Sequence, residues 1–338
     1  MGHEMWEALV TEGWRWANVL PYFQRLENVA GGGALRGTGG LISVRRGDAS
    51  NQLYQAFVDA GQQAGYAVSD NMNSRQHQDF GPMKMNIGGG GRFSAEAGYL
   101  HPAVKRGNVR VITHALVDRL TVVDGRVTGV LFSQNGRPVQ AQAGRDVILS
   151  AGSIMLPTIV KRSGLGPAQE LKEHVIAVIA DCGPVGGNLI NHMEIYLQME
   201  CRQPITLFSQ MTPLRKAVPG AQWLMNRKGL GATNHFEFGG HVGNRAGIVY
   251  PDIQFHFLPL AISYGGKSLA SGHGFQVHVG TKRSNSRAWV KLRSAAPENL
   301  PRMQFNYMNH ASVWLKMRAL QAICKVTLPI ALPLSRNA

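Results

Sequence analysis

The stretch Arg145–His192, RDVILSAGSIMLPTIVKRSGLGPAQELKEHVIAVIADCGPVGGNLINH, decides the fold. Its opening apolar run, Val147-Ile148-Leu149, predicts a short buried strand, and Ser150-Ala151-Gly152 then removes side-chain bulk where the chain must turn. Small residues there let backbone approach a flat ligand. A helix carrying Ile154, Met155, Ile159 and Val160 follows and stops at Ser163-Gly164. A second helix, Pro167 to His174, leads to another apolar strand, Val175 to Ala180. The order strand, turn, helix, helix, strand suits an α/β nucleotide-binding layer. On pattern alone, a plain structural crossover is as good a reading as a ligand site.

Immediately before this stretch the pattern is β throughout. Val109 to Ile112, Val117 to Val123, Val127 to Phe132 and Val139 to Ala143 read as strands, with turns at Asp124-Gly125 and Asn135-Gly136. Asp-Gly and Asn-Gly supply the positive φ that two-residue hairpins need, so a β-meander is expected. Further upstream, residues 3 to 28 read as one or two short helices whose Trp6, Leu9, Trp14, Val19, Leu20, Tyr22 and Phe23 pack a core. A glycine-rich loop from Ala30 to Gly40 comes next, then a strand from Leu41 to Val44 and a helix from Asn51 to Gly65. The four glycines Gly88 to Gly91 are not a phosphate loop, because Arg92-Phe93-Ser94 follows them instead of Gly-Lys-Ser/Thr. No G-x-G-x-x-G occurs anywhere in the 338 residues.

Downstream, strands are expected at Met193 to Glu200, Thr233 to Val242, Asp252 to Leu258, Gly274 to Thr281 and Ala288 to Arg293, with a helix from Pro213 to Arg227. An amphipathic helix from Ser312 to Val326 runs into a tail in which Pro329 and Pro333 end regular structure. The fold class is therefore α+β or α/β: a nucleotide-type layer with a β-meander, plus a second domain whose mostly antiparallel sheet is backed by helices. The expected division is a helical and loop segment over 1–104, the nucleotide-type layer over 105–192, a substrate domain over 193–326 and an irregular tail over 327–338.

Composition excludes several classes. The 35 Lys and Arg against 20 Asp and Glu give a formal charge of +15, but the cations are scattered as pairs such as Arg45-Arg46 and Lys282-Arg283. Without runs of five or six, or interleaved aromatics, specific nucleic-acid binding is not expected. Cys182, Cys201 and Cys324 lack C-x-x-C spacing, which argues against a disulfide framework and a zinc site. No apolar run approaches 18 residues and the start has no basic segment followed by an apolar core, so the chain is expected to be soluble or peripheral.

Two short segments could carry chemistry. In Asp252-Ile-Gln-Phe-His-Phe-Leu258, alternation sets Ile253, Phe255 and Phe257 on one face and Gln254 and His256 on the other. His256 is either a ligand-facing group or a half-buried sheet histidine. In Asn234-His-Phe-Glu-Phe-Gly239, the same alternation separates His235 and Glu237 from Phe236 and Phe238. Glu237 is then a paired surface charge or a carboxylate held in an apolar site, and spacing favours the surface.

Three motifs in order, Ser150-Ala-Gly-Ser, Ser163-Gly-Leu-Gly and Gly183-Pro-Val-Gly-Gly-Asn-Leu-Ile-Asn-His192, resemble the second signature of the glucose-methanol-choline (GMC) family of flavoenzymes. Arg92-Phe-Ser-Ala95 and Tyr99-Leu100 resemble another stretch of that family. The chain departs from the pattern at Leu156, where Ser or Thr is usual, and at Asn191, where Asp is usual. Within the family, Gly231 to Gly240, Pro251 to Pro259 and Phe305-Asn-Tyr307 resemble the choline dehydrogenases.

The resemblance implies FAD as cofactor, with Val117 meeting the adenine through its backbone and Ala151 and Gly152 lying against the flavin. It implies Glu237 holding the trimethylammonium group of choline and His256 positioning the substrate hydroxyl. The implied reaction is oxidation of choline to betaine aldehyde by hydride transfer to the flavin, with electrons passed to a respiratory acceptor at a bacterial inner or mitochondrial membrane. Another primary alcohol as substrate, or a non-catalytic remnant binding a partner or an anionic membrane surface, are the alternatives. The family's glycine fingerprint and its catalytic His are expected to lie outside these residues, as if the chain were truncated at both ends. No catalytic residue is therefore assigned, and the chain alone is expected to be inactive.

Overall fold

The structure is a computed structural model that describes residues 12–72, 78–248, 250–262 and 272–330. In chain order these form α1 (Trp16–Leu26), β1 (Glu27–Val29), β2 (Ile42–Arg46), α2 (Gln52–Gln63), β3 (Ala67–Val68), β4 (Asp79–Pro82), β5 (Lys84–Met85), β6 (Ile87–Gly88) and β7 (Gly91–Arg92). There follow α3 (His101–Lys105), β8 (Ala115–Val123), β9 (Arg126–Gln134), β10 (Arg137–Gln142), α4 (Gly152–Arg162), β11 (Leu165–Gly166), α5 (Ala168–Glu173) and β12 (Ala180–Asp181). The remainder is β13 (Glu194–Glu200), α6 (Pro213–Asn226), β14 (Phe238–Val242), β15 (Ile253–Leu258), β16 (Gly274–Thr281), β17 (Trp289–Lys291), β18 (Arg302–Gln304) and α7 (Ala311–Ile330).

The chain divides into two compact units. The first takes Met1–Val109, Glu194–Lys282 and Lys316–Ala338; the second takes Arg110–Met193 and Arg283–Leu315. This differs from the division expected from sequence, which placed residues 283–315 in the substrate domain. Main-chain bonding explains the change: Leu189 pairs with Ala288, and Gly186 O accepts from Val290 N.

The first unit is built on a six-stranded sheet of order β13-β16-β15-β14-β4-β3, antiparallel except at its β3–β4 edge. One face is the core. Phe238, Ile253, Phe255, Phe257, Phe275, Val277 and Val279 are buried there with Leu53, Tyr54 and Phe57 of α2 and Leu320 of α7. Asn51 caps α2 by accepting from Leu53 N. Ring centroids of Phe57 lie 4.9 Å from Phe257 and 5.3 Å from Phe80, so the helix is seated by aromatic pairs beyond simple burial. Gly61 lets α2 come close, since a Cβ there would meet the Phe80 ring at 2.5 Å. Lys316 of α7 adds an ion pair to buried Asp252 at 3.3 Å and donates to Lys282 O.

The second unit centres on the expected meander, β8-β9-β10, with Asp124-Gly125 and Asn135-Gly136 all at positive φ. Three other expected strands are absent. Val109 to Ile112 and Val147 to Leu149 join none of the sheets, and Ile148 is 87% exposed. Of Val175 to Ala180 only Ala180 enters a strand, while Val175 is 95% exposed at φ 57°. A short apolar run becomes a strand only where a neighbour takes its hydrogen bonds, and the composition of the run does not show that neighbour. Helix α5, by contrast, lies within the Pro167 to His174 segment expected for it.

Lys161 on α4 is buried and bonded to both carboxylate oxygens of Glu170 on α5 at 2.8–2.9 Å and to Val290 O at 2.8 Å. Glu170 also accepts from Leu292 N, so one ion pair fastens three segments. Helix α7 continues to Ile330 past Pro329, because a proline in the last turn costs only one late hydrogen bond. Trp6, Leu9 and Pro333 lie outside the described residues. Among the described residues no helix is long and apolar enough to cross a membrane.

Candidate functional site

The polar face of the six-stranded sheet is set by register. Tyr196 on β13 pairs with His278 on β16, His278 with His256 on β15, and His256 with Gly239 on β14. Partners in register share a face, so Tyr196, His278 and His256 form one row with side-chain-free backbone beside them. Tyr196 stacks on His278 with ring centroids 4.0 Å apart, and Phe236 meets His278 and His256 edge-on at 5.2 and 6.4 Å.

His278 has a defined tautomer. Gln276 Oε1 accepts from Ile262 N and from Gln198 Nε2, which turns its amide nitrogen to His278 Nε2. Nε2 must then accept, leaving the proton on Nδ1, which faces Glu194 Oε1 at 3.6 Å. Burial lowers the pKa of both His256 and His278, so both rings are neutral at neutral pH; Glu194 opposes the shift for each.

Glu237 stands apart from this row. Residues Thr233 to Glu237 are not strand, as sequence alternation suggested, because His235 adopts φ 64° and resets the direction of the chain. Glu237 is also not at the surface: it is 1% exposed. Its Oε2 accepts from Asp48 N at 2.9 Å, and Thr233 provides a side-chain hydrogen bond. Desolvation raises its pKa, and the nearby Asp48 carboxylate adds to the effect. Asp48 itself ends up lowered: burial pushes it upward, but hydrogen bonds with Ser50 and Glu237 and the Arg45 guanidinium outweigh that. Thr233 also lines a cavity of about 360 Å³ with Met85, Asn86, Gly90, Arg92 and Asn234. Glu237 and His256 thus have separate surroundings, linked by Phe236, which precedes one and packs on the other.

In the second unit Val117 sits on β8 immediately before a register shift against β9. One lone pair of its carbonyl accepts from Arg162 Nη2 at 3.1 Å. Ala151 N-caps α4 without a side-chain bond, and Ala151, Gly152 and Ser153 are exposed. Gly152 has φ 79°, and a Cβ there would touch nothing within 4 Å. An open helix N-terminus with free N–H groups suits an electron-rich or anionic ligand edge, so these residues fit the cofactor role the motifs imply. Among the described residues no three His, Cys, Asp or Glu side chains gather to hold a metal.

His278, Tyr196 and Glu194 were not singled out from sequence. The alternation of Phe275, Val277 and Val279 with Gln276 and His278 could have shown His278, as it did His256, and the alternation of Glu194, Tyr196 and Gln198 with Ile195 and Leu197 could have shown the other two. Asp48 and Thr233 gave no signal, because they reach Glu237 only through the folded backbone.

A sequence profile described as GMC oxidoreductase matches residues 3–194. The oxygen-dependent choline dehydrogenase of Rhizobium johnstonii is 48% identical over 314 residues, 93% of this chain and 57% of that protein. The enzyme of the same description from Brucella anthropi is 46% identical over 317 residues, 94% of this chain and 58% of that protein. The chain therefore spans less than two thirds of these relatives. Among solved structures, a formate oxidase variant from Aspergillus oryzae RIB40 superposes with TM-score 0.87 at 19% identity, covering 96% of this chain and 63% of that one. A pyridoxine 4-oxidase from Mesorbium loti does so with TM-score 0.80 at 22% identity, covering 96% and 61%. At those identities they show the shared mixed α/β fold alone. With its profile match covering more than half its length and its fold matching these flavoenzymes, the chain belongs to the GMC oxidoreductase family, whose members bind FAD.

Proposed function

We propose that this chain carries the substrate-binding part of a choline-oxidising flavoenzyme that converts choline to betaine aldehyde and passes electrons onward to a respiratory acceptor. The observation that carries the reading is the buried Glu237 carboxyl, in a chain 46–48% identical to oxygen-dependent choline dehydrogenases. A quaternary ammonium has no N–H to donate, so only charge and aromatic faces can recognise it. Burial disfavours ionised Glu237, and a cation that never titrates offsets that penalty wherever the carboxyl is ionised.

Neutral His256 can accept a hydrogen bond from the substrate hydroxyl and orient it. FAD, when bound, supplies the hydride acceptor; Val117, Ala151 and Gly152 would hold it. No residue of this chain is assigned as the catalytic base. A peripheral membrane location belongs to the same reading and rests on the family resemblance alone, because the cations are scattered as pairs and do not form a basic cluster.

The test compares choline with its neutral isostere 3,3-dimethyl-1-butanol by isothermal titration calorimetry. Choline is expected to bind more tightly, by about tenfold or more, and Glu237→Gln to abolish the preference while leaving the isostere unchanged. Equal affinities for the two ligands in the unsubstituted chain would favour another primary alcohol as substrate. An unchanged choline affinity in Glu237→Gln removes Glu237 from the site.

A further inference from the structure

The C-terminal end of helix α4 holds the β8 bulge from which Val117 is displayed. The Arg162 side chain is 3% exposed, and its guanidinium donates from Nε to Asp118 O at 2.7 Å and from Nη2 to Val117 O at 3.1 Å. One planar fork thereby fixes two successive carbonyls. Its Nε also lies 3.7 Å from Asp118 Oδ1, which balances the buried charge. Next to it, Ser163 Oγ accepts from Leu120 N at 2.8 Å and donates to Ile159 O at 2.6 Å. The register shift between Val117 and Arg119 lies within this pair of clamps. A bulge leaves backbone outside the ladder and re-aims the strand, so it needs such support to keep one geometry.

The other end of the same helix presents Ala151 and Gly152. An 11-residue helix is about 16 Å long, so α4 holds its two ends apart by about that distance as one rigid element. We propose that Arg162, seconded by Ser163, is a positioning residue for the adenine half of the cofactor: it fixes Val117 at one end of a rigid strut whose other end meets the flavin. The proposal rests on the assignment of Val117 to the adenine. Arg162 touches no cofactor atom in this scheme and acts only through the Val117–Asp118 backbone.

The test uses the full 338-residue chain with two probes: ADP, which carries the adenine half, and FMN, which carries the flavin half. Arg162→Lys keeps the charge but cannot fork to two carbonyls; Ser163→Ala removes the acceptor of Leu120 N and serves if the first variant does not fold. Either change is expected to speed amide hydrogen exchange at Leu120. Arg162→Lys should weaken ADP by about tenfold with FMN unaffected, and Ser163→Ala should act in the same direction but less. An equal loss for both probes, or unchanged exchange together with unchanged ADP affinity, overturns the proposal. Faster exchange with unchanged ADP affinity instead removes the assignment of Val117.

Discussion

Glu237 sets the sign of one pH effect. Its folded pKa lies above the unfolded value, so the favourable contribution of its protonated form is complete below the unfolded carboxyl pKa and is lost as pH rises through the folded one. Glu237→Gln should therefore be more stable than the parent at neutral pH, with the difference shrinking as pH falls from neutral and closed once it reaches about 4 in thermal melts. The histidines act in the opposite direction. His235, His256 and His278 all have lowered pKa values, so their contribution is present above about pH 6.5 and lost as pH falls below it. Their side-chain signals in NMR should titrate below that range. Lys161 makes a different prediction, because removing one partner of a buried pair strands the other. Lys161→Met should cost about 3–5 kcal/mol in denaturant unfolding, whereas replacing Lys161 and Glu170 together by apolar residues should cost far less.

At the scale of elements, the meander is the part most dependent on local chemistry. Gly125 and Gly136 sit at φ 75° and 78° with open space where a Cβ would go, so Ala at either position meets strain without a clash. Each substitution should lower stability by about 1 kcal/mol, seen as a shift in urea midpoint with an unchanged slope. These hairpins were legible because two adjacent residues specify the turn. The alternation of β15 was legible too, since buried Ile253, Phe255 and Phe257 face a core and half-buried His256 does not. The short runs at Val147 and Val175 were misleading for the converse reason: a ladder depends on a partner distant in sequence. Glu237 was misplaced at the surface because one left-handed residue, His235, breaks the period-2 count on which the inference stood. The polar row was half legible, through His256, and became complete only when the register set Tyr196 and His278 beside it.

For the whole molecule, the proposed flavin contacts lie on α4 and β8, and the 338 residues carry no G-x-G-x-x-G. The pyrophosphate of a dinucleotide usually takes much of its binding from such a loop and the helix it opens. The 338 residues purified by themselves should consequently show flavin absorbance well below stoichiometric, and no dye reduction dependent on choline. Stoichiometric flavin with choline-dependent turnover would show that α4 and β8 suffice.

The three cysteines have different fates in solution chemistry. Cys201 and Cys324 lie in the core of the first unit, where burial raises both thiol pKa values, that of Cys324 to about 12. Only thiolate reacts quickly with alkylating reagents, so both should stay unmodified while the fold persists. Cys182, half-exposed just after β12, is the position open to reagent. A maleimide at neutral pH should add one mass increment to the native chain and three after unfolding. The protein thus carries a built-in attachment point for a fluorophore or spin label in its second unit, and its buried thiols serve as internal reporters of unfolding in its first.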